Sequence, residues 1–269
     1  MSSIKFGFLG AGNMGSALAR AVVKSAGEKD VIISDQSAVK AQLIADELKC
    51  SYGDNTAVVS SAKYIFLGVK PQVMGSVIES ILPLLKKRND RFVLVTMAAG
   101  LKISSLKEML GEDYPIIRIM PNTPVSVGKG MILYTYSNNV FMDEIGEFCE
   151  ALKFAGKLDK IDEKLIDAAS AVSGCGPAFV YMFAESLADA GVECGLTKAK
   201  AIEYAAQTLS GAAELMLTSS KHPSQLKDEV CSPGGTTIAG VASLEENGFR
   251  GTVGKAVKAS YNRTIELSK

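Results

Sequence analysis

Apolar residues fall along the first 160 positions in short blocks of four, separated by stretches in which they recur at helical spacing. Phe6-Gly-Phe-Leu9, Val31-Ile-Ile33, Tyr64-Ile-Phe-Leu67, Phe92-Val-Leu-Val95, Ile116-Ile-Arg-Ile119 and Met131-Ile-Leu-Tyr134 each have the length and continuity of a strand buried on both faces. Between them, Met14 to Val23 and Ala38 to Leu48 read as helices. A third is predicted to start at Pro71, whose fixed φ and missing donor suit a first helical turn, with Val73, Val77, Ile78, Ile81 and Leu82 on one face. Phe141 to Phe154 reads as a fourth helix. Alternation of this kind is best met by a mostly parallel sheet with helices on both faces.

After about residue 160 the blocks of four stop, and Ala, Leu, Glu and Met gather into long helical windows. Helices are predicted over Glu163–Val172, Pro177–Asp189, Lys198–Thr218, Gln225–Val230, Pro233–Glu246 and Gly251–Leu267. The fold class expected is therefore α/β, with a dinucleotide-binding Rossmann-type domain over 1–160 and an all-helical domain over 161–269. Ala205, Ala206, Leu209, Ala212, Ala213, Met216 and Leu217 form one broad apolar stripe, which either builds an independent core or meets a second copy of the chain.

Composition narrows the field. The chain has 269 residues, 47% hydrophobic and 22% charged, with 29 basic and 29 acidic side chains. Residues 1–160 hold 19 basic and 16 acidic residues and the remainder 10 and 13, so neither half carries a basic stripe for nucleic acid. The apolar run after Lys5 breaks at Gly10-Ala-Gly12 without a cleavage pattern, and no stretch of about 20 uninterrupted apolar residues suggests a membrane span. Five scattered cysteines and a single histidine, His222, argue against a disulfide framework or a metal site, and a cytoplasmic protein is expected.

The chemistry begins at Gly10-Ala-Gly12-Asn13-Met14-Gly15, between a strand and a helix. Gly10 permits the tight turn, Gly12 the approach of a pyrophosphate, and Gly15 close packing of helix on strand, while the helix start offers free N–H groups to phosphate. Asp35 ends the second strand 20 residues beyond Gly15, placed to accept hydrogen bonds from an adenosine ribose. Its charge would repel a 2′-phosphate and no Arg follows nearby, which tilts the expected cofactor, NAD(P)H, toward NADH. Val69, Lys70 and Pro71 leave a strand at the same carboxyl edge. So do Met97-Ala98-Ala99-Gly100 and Met120-Pro-Asn122-Thr-Pro124, whose backbones could line the nicotinamide pocket while Asn122 satisfies polar groups.

In the helical half, Ser173-Gly174-Cys175-Gly176-Pro177-Ala178 breaks a helix, as a ligand-facing bend would. Cys175 has no activating His or charged partner in the sequence and reads as a small apolar residue. Ser232-Pro-Gly234-Gly235-Thr236-Thr237 combines a capping Ser, a first-turn Pro, exposed backbone donors and two hydroxyls, a suitable cradle for a small carboxylate. His222 reads as structural or exposed.

These segments together resemble the pyrroline-5-carboxylate reductase family, through Phe8-Leu-Gly-Ala-Gly-Asn-Met14, Val69-Lys-Pro71, Asn122-Thr-Pro124, Ser173-Gly-Cys-Gly-Pro-Ala178 and Asp228-Glu-Val-Cys-Ser-Pro-Gly-Gly-Thr-Thr-Ile-Ala-Gly240. The resemblance implies NAD(P)H-dependent reduction of 1-pyrroline-5-carboxylate, a cyclic imine carboxylate, to L-proline. It implies an intertwined dimer through the helical domain, extending in the family to a decamer. It makes Asn55 a cofactor contact, and Ser173, Gly174, Gly176, Gly234, Gly235, Thr236 and Thr237 the substrate-binding set, with Thr237 the catalytic candidate. Cys175 stands where the family often has Ser, and Thr236 where some members have Ala. A β-hydroxyacid dehydrogenase would need Lys and Asn in its helical motif; no Asn occurs from Ile161 to Glu246. A nucleotide sensor would explain the glycine turn but not a second, carboxylate-binding cradle.

Overall fold

The computed structural model describes residues 4–267 and divides the chain into two compact units, Met1–Gly174 with Tyr261–Lys269, and Cys175–Ser260. The first is built on an eight-stranded sheet. Its elements run β1 (Phe6–Leu9), α1 (Asn13–Ala26), β2 (Val31–Ser34), α2 (Ala38–Leu48), β3 (Ser51–Tyr52), α3 (Asn55–Ser61), β4 (Tyr64–Leu67), α4 (Pro71–Leu85), β5 (Val93–Thr96), α5 (Ile103–Leu110), β6 (Ile116–Pro121), β7 (Gly130–Tyr136), α6 (Met142–Ala151), β8 (Gly156–Lys160) and α7 (Ile166–Ser173).

The strand order is β3-β2-β1-β4-β5-β6-β7-β8, parallel throughout except where β7 runs antiparallel to β6. β1 lies between β2 and β4, so the chain winds one way from β1 and then back the other. That reversal opens a crevice at the carboxyl ends of β1 and β4, where open α/β sheets bind their ligands. Residues in β1, β2, β4 and β5 are all buried, which is why these segments read as continuous apolar blocks instead of alternating ones.

Two apolar layers sandwich the sheet. On one face Phe8 and Phe66 stack at 4.4 Å between ring centres beneath Leu18 and Val22 of α1 and Phe148 of α6. On the other, Ile65, Leu67 and Leu94 meet Met74, Ile78 and Ile81 of α4 and Leu106 of α5. The helix at Pro71 forms as expected: Ile78 and Ile81 are buried and Val77 and Leu82 pack partly buried against the core, Met74 and Leu85 complete the face, and only Val73, 46% exposed, leaves it. The most deeply buried positions, Met74, Ile78, Ile81 and Leu85, follow a 4-3-4 spacing. Helix α6 ends at Ala151, because residues 152–155 turn toward β8 before Phe154 can join it. Buried Glu144 anchors α6 by accepting two bonds from Arg91, each 2.8 Å, and one from the Phe141 amide. Burial pushes the carboxyl of Glu144 up, but Arg91 and the amide outweigh it and hold it below its ordinary range.

In the second unit, α8 (Gly176–Glu193) and α9 (Lys198–Thr218) form an antiparallel pair joined through Gly195, packed on Ala188, Ala201 and Ala205. Then come α10 (Pro223–Val230), α11 (Thr236–Glu246) and α12 (Phe249–Leu267), the last of which runs into the residues grouped with the first unit. Here burial is sparse. The 18 residues of α8 include one buried side chain, and Val180, Tyr181, Met182 and Leu187 stand exposed; α11 has no buried residue. The stretch Glu163–Glu193 is also long and apolar enough, by length and composition alone, to span a membrane, a property the absence of uninterrupted apolar runs in the sequence concealed. Helix α11 begins at Thr236, not Pro233, because Gly235 donates to the Ser232 carbonyl at 3.0 Å and closes a turn first.

Candidate functional site

The glycine turn after β1 is fixed by contacts that leave no room for side chains. Gly10 has φ +106, and a Cβ there would stand 2.6 Å from the Gly68 carbonyl; at Gly15 it would stand 2.2 Å from the Gly10 carbonyl. At Gly12, the cap of α1, a Cβ would meet nothing within 4 Å. The turn is thus closed on the protein side and open on the other, with no side chain capping the helix and its first N–H groups lacking intrahelical partners. Such an arrangement can receive an anion.

A groove of about 750 Å³ runs from this turn along the carboxyl edge, lined by Gly10, Gly12, Asp35, Asn55, Val69 and Lys70 together with Gln36, Asp54, Thr56, Gly68, Val73 and Val77. Six of the sequence candidates meet there. Gly15 acts from behind, through its contact with Gly10, while Asn13 and Met14 supply the first turn of α1 and Pro71 that of α4. Ala99 is exposed at the end of β5, whereas the Ala98 side chain, 2% exposed, is part of the core beneath α5, so its methyl group faces protein and not the groove.

Asp35 holds the turn itself. Its Oδ2 accepts from the Ala11 amide at 2.7 Å and its Oδ1 from the Ser37 amide at 3.0 Å, and Lys40 Nζ lies 3.9 Å away. Lys40, on the first turn of α2, is a cation beside Asp35 where no Arg stands. Asn55, the first residue of α3, accepts through Oδ1 from Ser34 Oγ at 2.8 Å, and Asp54 caps the helix by accepting from Ala57 N at 2.8 Å. Gly68, Gln36, Asp54 and Thr56 were not singled out by the sequence. Gly68 alone carried a signal, a glycine directly after a buried strand.

Asn122 follows β6 and bridges backbone: its Nδ2 donates to the Ser173 carbonyl and its Oδ1 accepts from Met131 N, both at 2.8 Å. Ser173 closes α7, with its hydroxyl donating to Ala169 O at 3.1 Å. Gly174 and Cys175 form the break, and Pro177 enters the first turn of α8.

In the helical unit Gly234, at φ +68, and Gly235 lead into α11, which no side chain caps. The leading N–H groups of Thr236, Thr237 and Ile238 are therefore available to a carboxylate, with the half-buried Thr237 hydroxyl one residue inside the helix. His222 serves as a cap: its Nδ1 accepts from Ser224 N at 3.2 Å at the start of α10. Among the described residues no group of His, Cys, Asp and Glu is arranged to hold a metal.

A doubly wound sheet with a glycine turn at its switch point defines a dinucleotide-binding α/β protein, here followed by a helical unit. Residues 5–100 match the family model described as NADP oxidoreductase, coenzyme F420-dependent, and residues 163–267 that described as pyrroline-5-carboxylate reductase dimerisation. The chain is 40% identical to a pyrroline-5-carboxylate reductase of Glycine max, over 99% of this chain and 97% of that one. It is 37% identical to that of Escherichia coli K12, over 98% of each. A crystal structure of the Plasmodium falciparum reductase with NADP bound superposes with a TM-score of 0.86 at 35% identity, covering 100% of both chains. The Coxiella burnetii reductase gives 0.89 at 29%, also over 100% of both. A ketol-acid reductoisomerase at 15% identity and TM-score 0.64 shares the fold alone. The chain belongs to the pyrroline-5-carboxylate reductase family.

Proposed function

We propose that the protein reduces 1-pyrroline-5-carboxylate to L-proline with NAD(P)H. The observation that carries this reading is the pairing, in one family member, of a glycine turn open only at Gly12 with an uncapped helix start at Gly235-Thr236-Thr237. The groove fits the cofactor: the uncapped start of α1 would receive its pyrophosphate, Asp35 would meet the adenosine ribose, and Asn55, Val69 and Lys70 line the same groove. Bound NAD(P)H supplies the hydride. One hydride and one proton added across the C=N bond convert the imine to the secondary amine, and a protonated imine is electrophilic enough that orientation outweighs acid catalysis. That accounts for chemistry without a histidine.

The carboxylate of the imine is assigned to the backbone of Gly234 and Gly235 and the amides at the start of α11. Thr237 is its orienting hydroxyl, Thr236 its neighbour, and Ser173, Gly174 and Gly176 the second substrate segment. Thr237→Val keeps β-branching and size. It should lower kcat/KM for the imine by about 5- to 150-fold, the loss of about 1–3 kcal/mol expected for one buried hydrogen bond, with NADPH affinity unchanged. Wild-type kcat/KM in a folded variant would sink the assignment. Absence of imine-dependent oxidation of either cofactor by the native chain would sink the whole reading.

For the cofactor we favour NADH, since the Asp35 carboxylate lies on the groove where a 2′-phosphate would be repelled, with Lys40 partly offsetting it. Asp35→Ser should lower the NADH/NADPH ratio of kcat/KM; loss of the Ala11 bond affects both cofactors and cancels in the ratio. An unchanged ratio would remove Asp35 from the selection. The exposed apolar faces of α8 and α9 fit a homodimer, the family's decamer being a further step, and neither a nucleic acid nor a membrane enters this reading. Cysteines left unpaired among the described residues fit a reducing compartment such as the cytoplasm.

A further inference from the structure

Helix α7 is fastened near both of its ends to the β6 segment. Toward its start, the Arg118 guanidinium, 1% exposed, donates to Glu163 Oε1 and to Asp167 Oδ1, each at 3.1 Å, and the same Glu163 oxygen accepts from Ile103 N at 2.7 Å. At its finish, Asn122 donates to the Ser173 carbonyl. From Asp167 to Ser173 the helix rises about 9 Å, and from Arg118 to Asn122 extended chain covers about 13 Å. The two fastenings therefore hold the helix along its length, not at a point.

They differ in what they need to explain. The Arg118 cluster is a buried cation with its carboxylates, which stability alone requires. The Ser173 carbonyl, by contrast, sits in the last turn of α7, where carbonyls lose intrahelical donors and water can satisfy them. What Asn122 contributes is register: one rigid amide sets the turn after β6, the start of β7 through Met131 N, and the final residue of α7 at 2.8 Å each. The last turn of α7 is itself tight, since a Cβ on Gly174 would stand 2.8 Å from Ser170 Oγ and 2.9 Å from its carbonyl within the same turn.

We infer that Asn122 is a positioning residue for the imine, acting through the Ser173 backbone, and not a group that touches the nicotinamide. The inference rests on the function proposed above, in which Ser173 and Gly174 belong to the substrate segment. Its amide oxygen is committed to Met131 and one amide hydrogen to Ser173, so its side chain already serves as a strut between main-chain groups.

Asn122→Asp tests this, because it is isosteric, retains the acceptor for Met131 N and sets an oxygen against the Ser173 carbonyl. NADPH Kd without imine, KM for the imine, and kcat are measured on the full chain. The expected result is a KM for the imine raised at least tenfold, a smaller change in kcat, and an NADPH Kd within twofold of wild type. Should the aspartate variant not fold, Asn122→Ser, which adds no charge, is read by the same split. An NADPH Kd weakened tenfold with KM for the imine unchanged would overturn the inference in favour of a cofactor contact, and wild-type kinetics would overturn it outright. Lack of imine reduction by the unmutated chain is a separate result, which overturns the functional reading before any variant is made.

Discussion

The two units use apolar residues in opposite ways. In the α/β unit, Phe8, Phe66, Ile65 and Leu94 are each 0% exposed and every central strand is covered on both faces. In the helical unit, Tyr181 is 64% and Met182 67% exposed on a helix of 18 residues with a single buried side chain. A sheet between two helical layers completes its own core, whereas a pair of helices packed through three alanines leaves its large side chains outward and needs another surface to cover them. Similar hydrophobicity thus gives precision in one unit and a demand for association in the other.

Five substitutions would break or sharpen that contrast. Gly15→Ala should have the largest effect, because its Cβ meets the Gly10 carbonyl at 2.2 Å inside a closed core. We expect at least a 100-fold loss of NADPH binding together with a Tm lowered by several degrees. Gly12→Val, whose Cβ enters open space, should weaken both cofactors while leaving Tm unchanged; an equal fall in Tm for the two variants would deny the turn its open side.

Met182→Glu comes next. If a second copy covers α8, a charge there should raise the dimer dissociation constant by about 30-fold or more, as hot-spot losses of about 2 kcal/mol do, and sedimentation should detect monomer. Val39→Glu is the matched control: Val39 is 68% exposed on α2, and the change should stay within about 0.5 kcal/mol of stability and leave association intact. Equivalent behaviour of the two sites would erase the distinction between the units.

Glu144→Gln gives a smaller, pH-dependent effect, about 1–3 kcal/mol at pH 7 for loss of a charge-assisted pair. The carboxyl is held below its ordinary value of 4.5 in the folded state. Its contribution is therefore present above that value and lost as pH falls through the folded pKa. The Tm gap between variant and wild type should narrow from pH 7 to pH 3; a constant gap would mean that packing, not charge, is what Glu144 supplies.

Strands β1, β2, β4, β5, β6 and β7 were legible as apolar blocks, and α2 and α9 to the residue, because burial on both faces or strong helix propensity writes itself locally. Strands β3 and β8 were not, the one two residues long and the other polar, both edge strands that exist by pairing with β2 and β7. Helix α3, Asn-Thr-Ala-Val-Val-Ser-Ser, has poor helix formers apart from Ala57 and depends on its Asp54 cap and on Val58 and Val59 entering the core. The candidate site divides in the same manner. Gly10, Gly12, Gly15 and Asp35 stand at recognisable spacings, whereas Gln36, Asp54, Thr56 and Gly68 reach the groove only because the winding of the sheet gathers three loops at one edge.

By itself the sequence determined which segments are buried, where the chain turns from sheet to helices, and the backbone chemistry of the two glycine-containing cradles, since these rest on side-chain character and on sterics within a few residues. Tertiary structure decided that Met74 and Leu85 complete the buried face of α4, that Asp35, expected as a ribose acceptor, also braces the turn, that Ala98 belongs to the core, and that Asn122 joins three backbone segments. Each of those depends on neighbours brought in by distant pairing: Ala11 and Asp35 are 24 positions apart and Asn122 and Ser173 are 51, separations over which no local pattern in a chain specifies a partner.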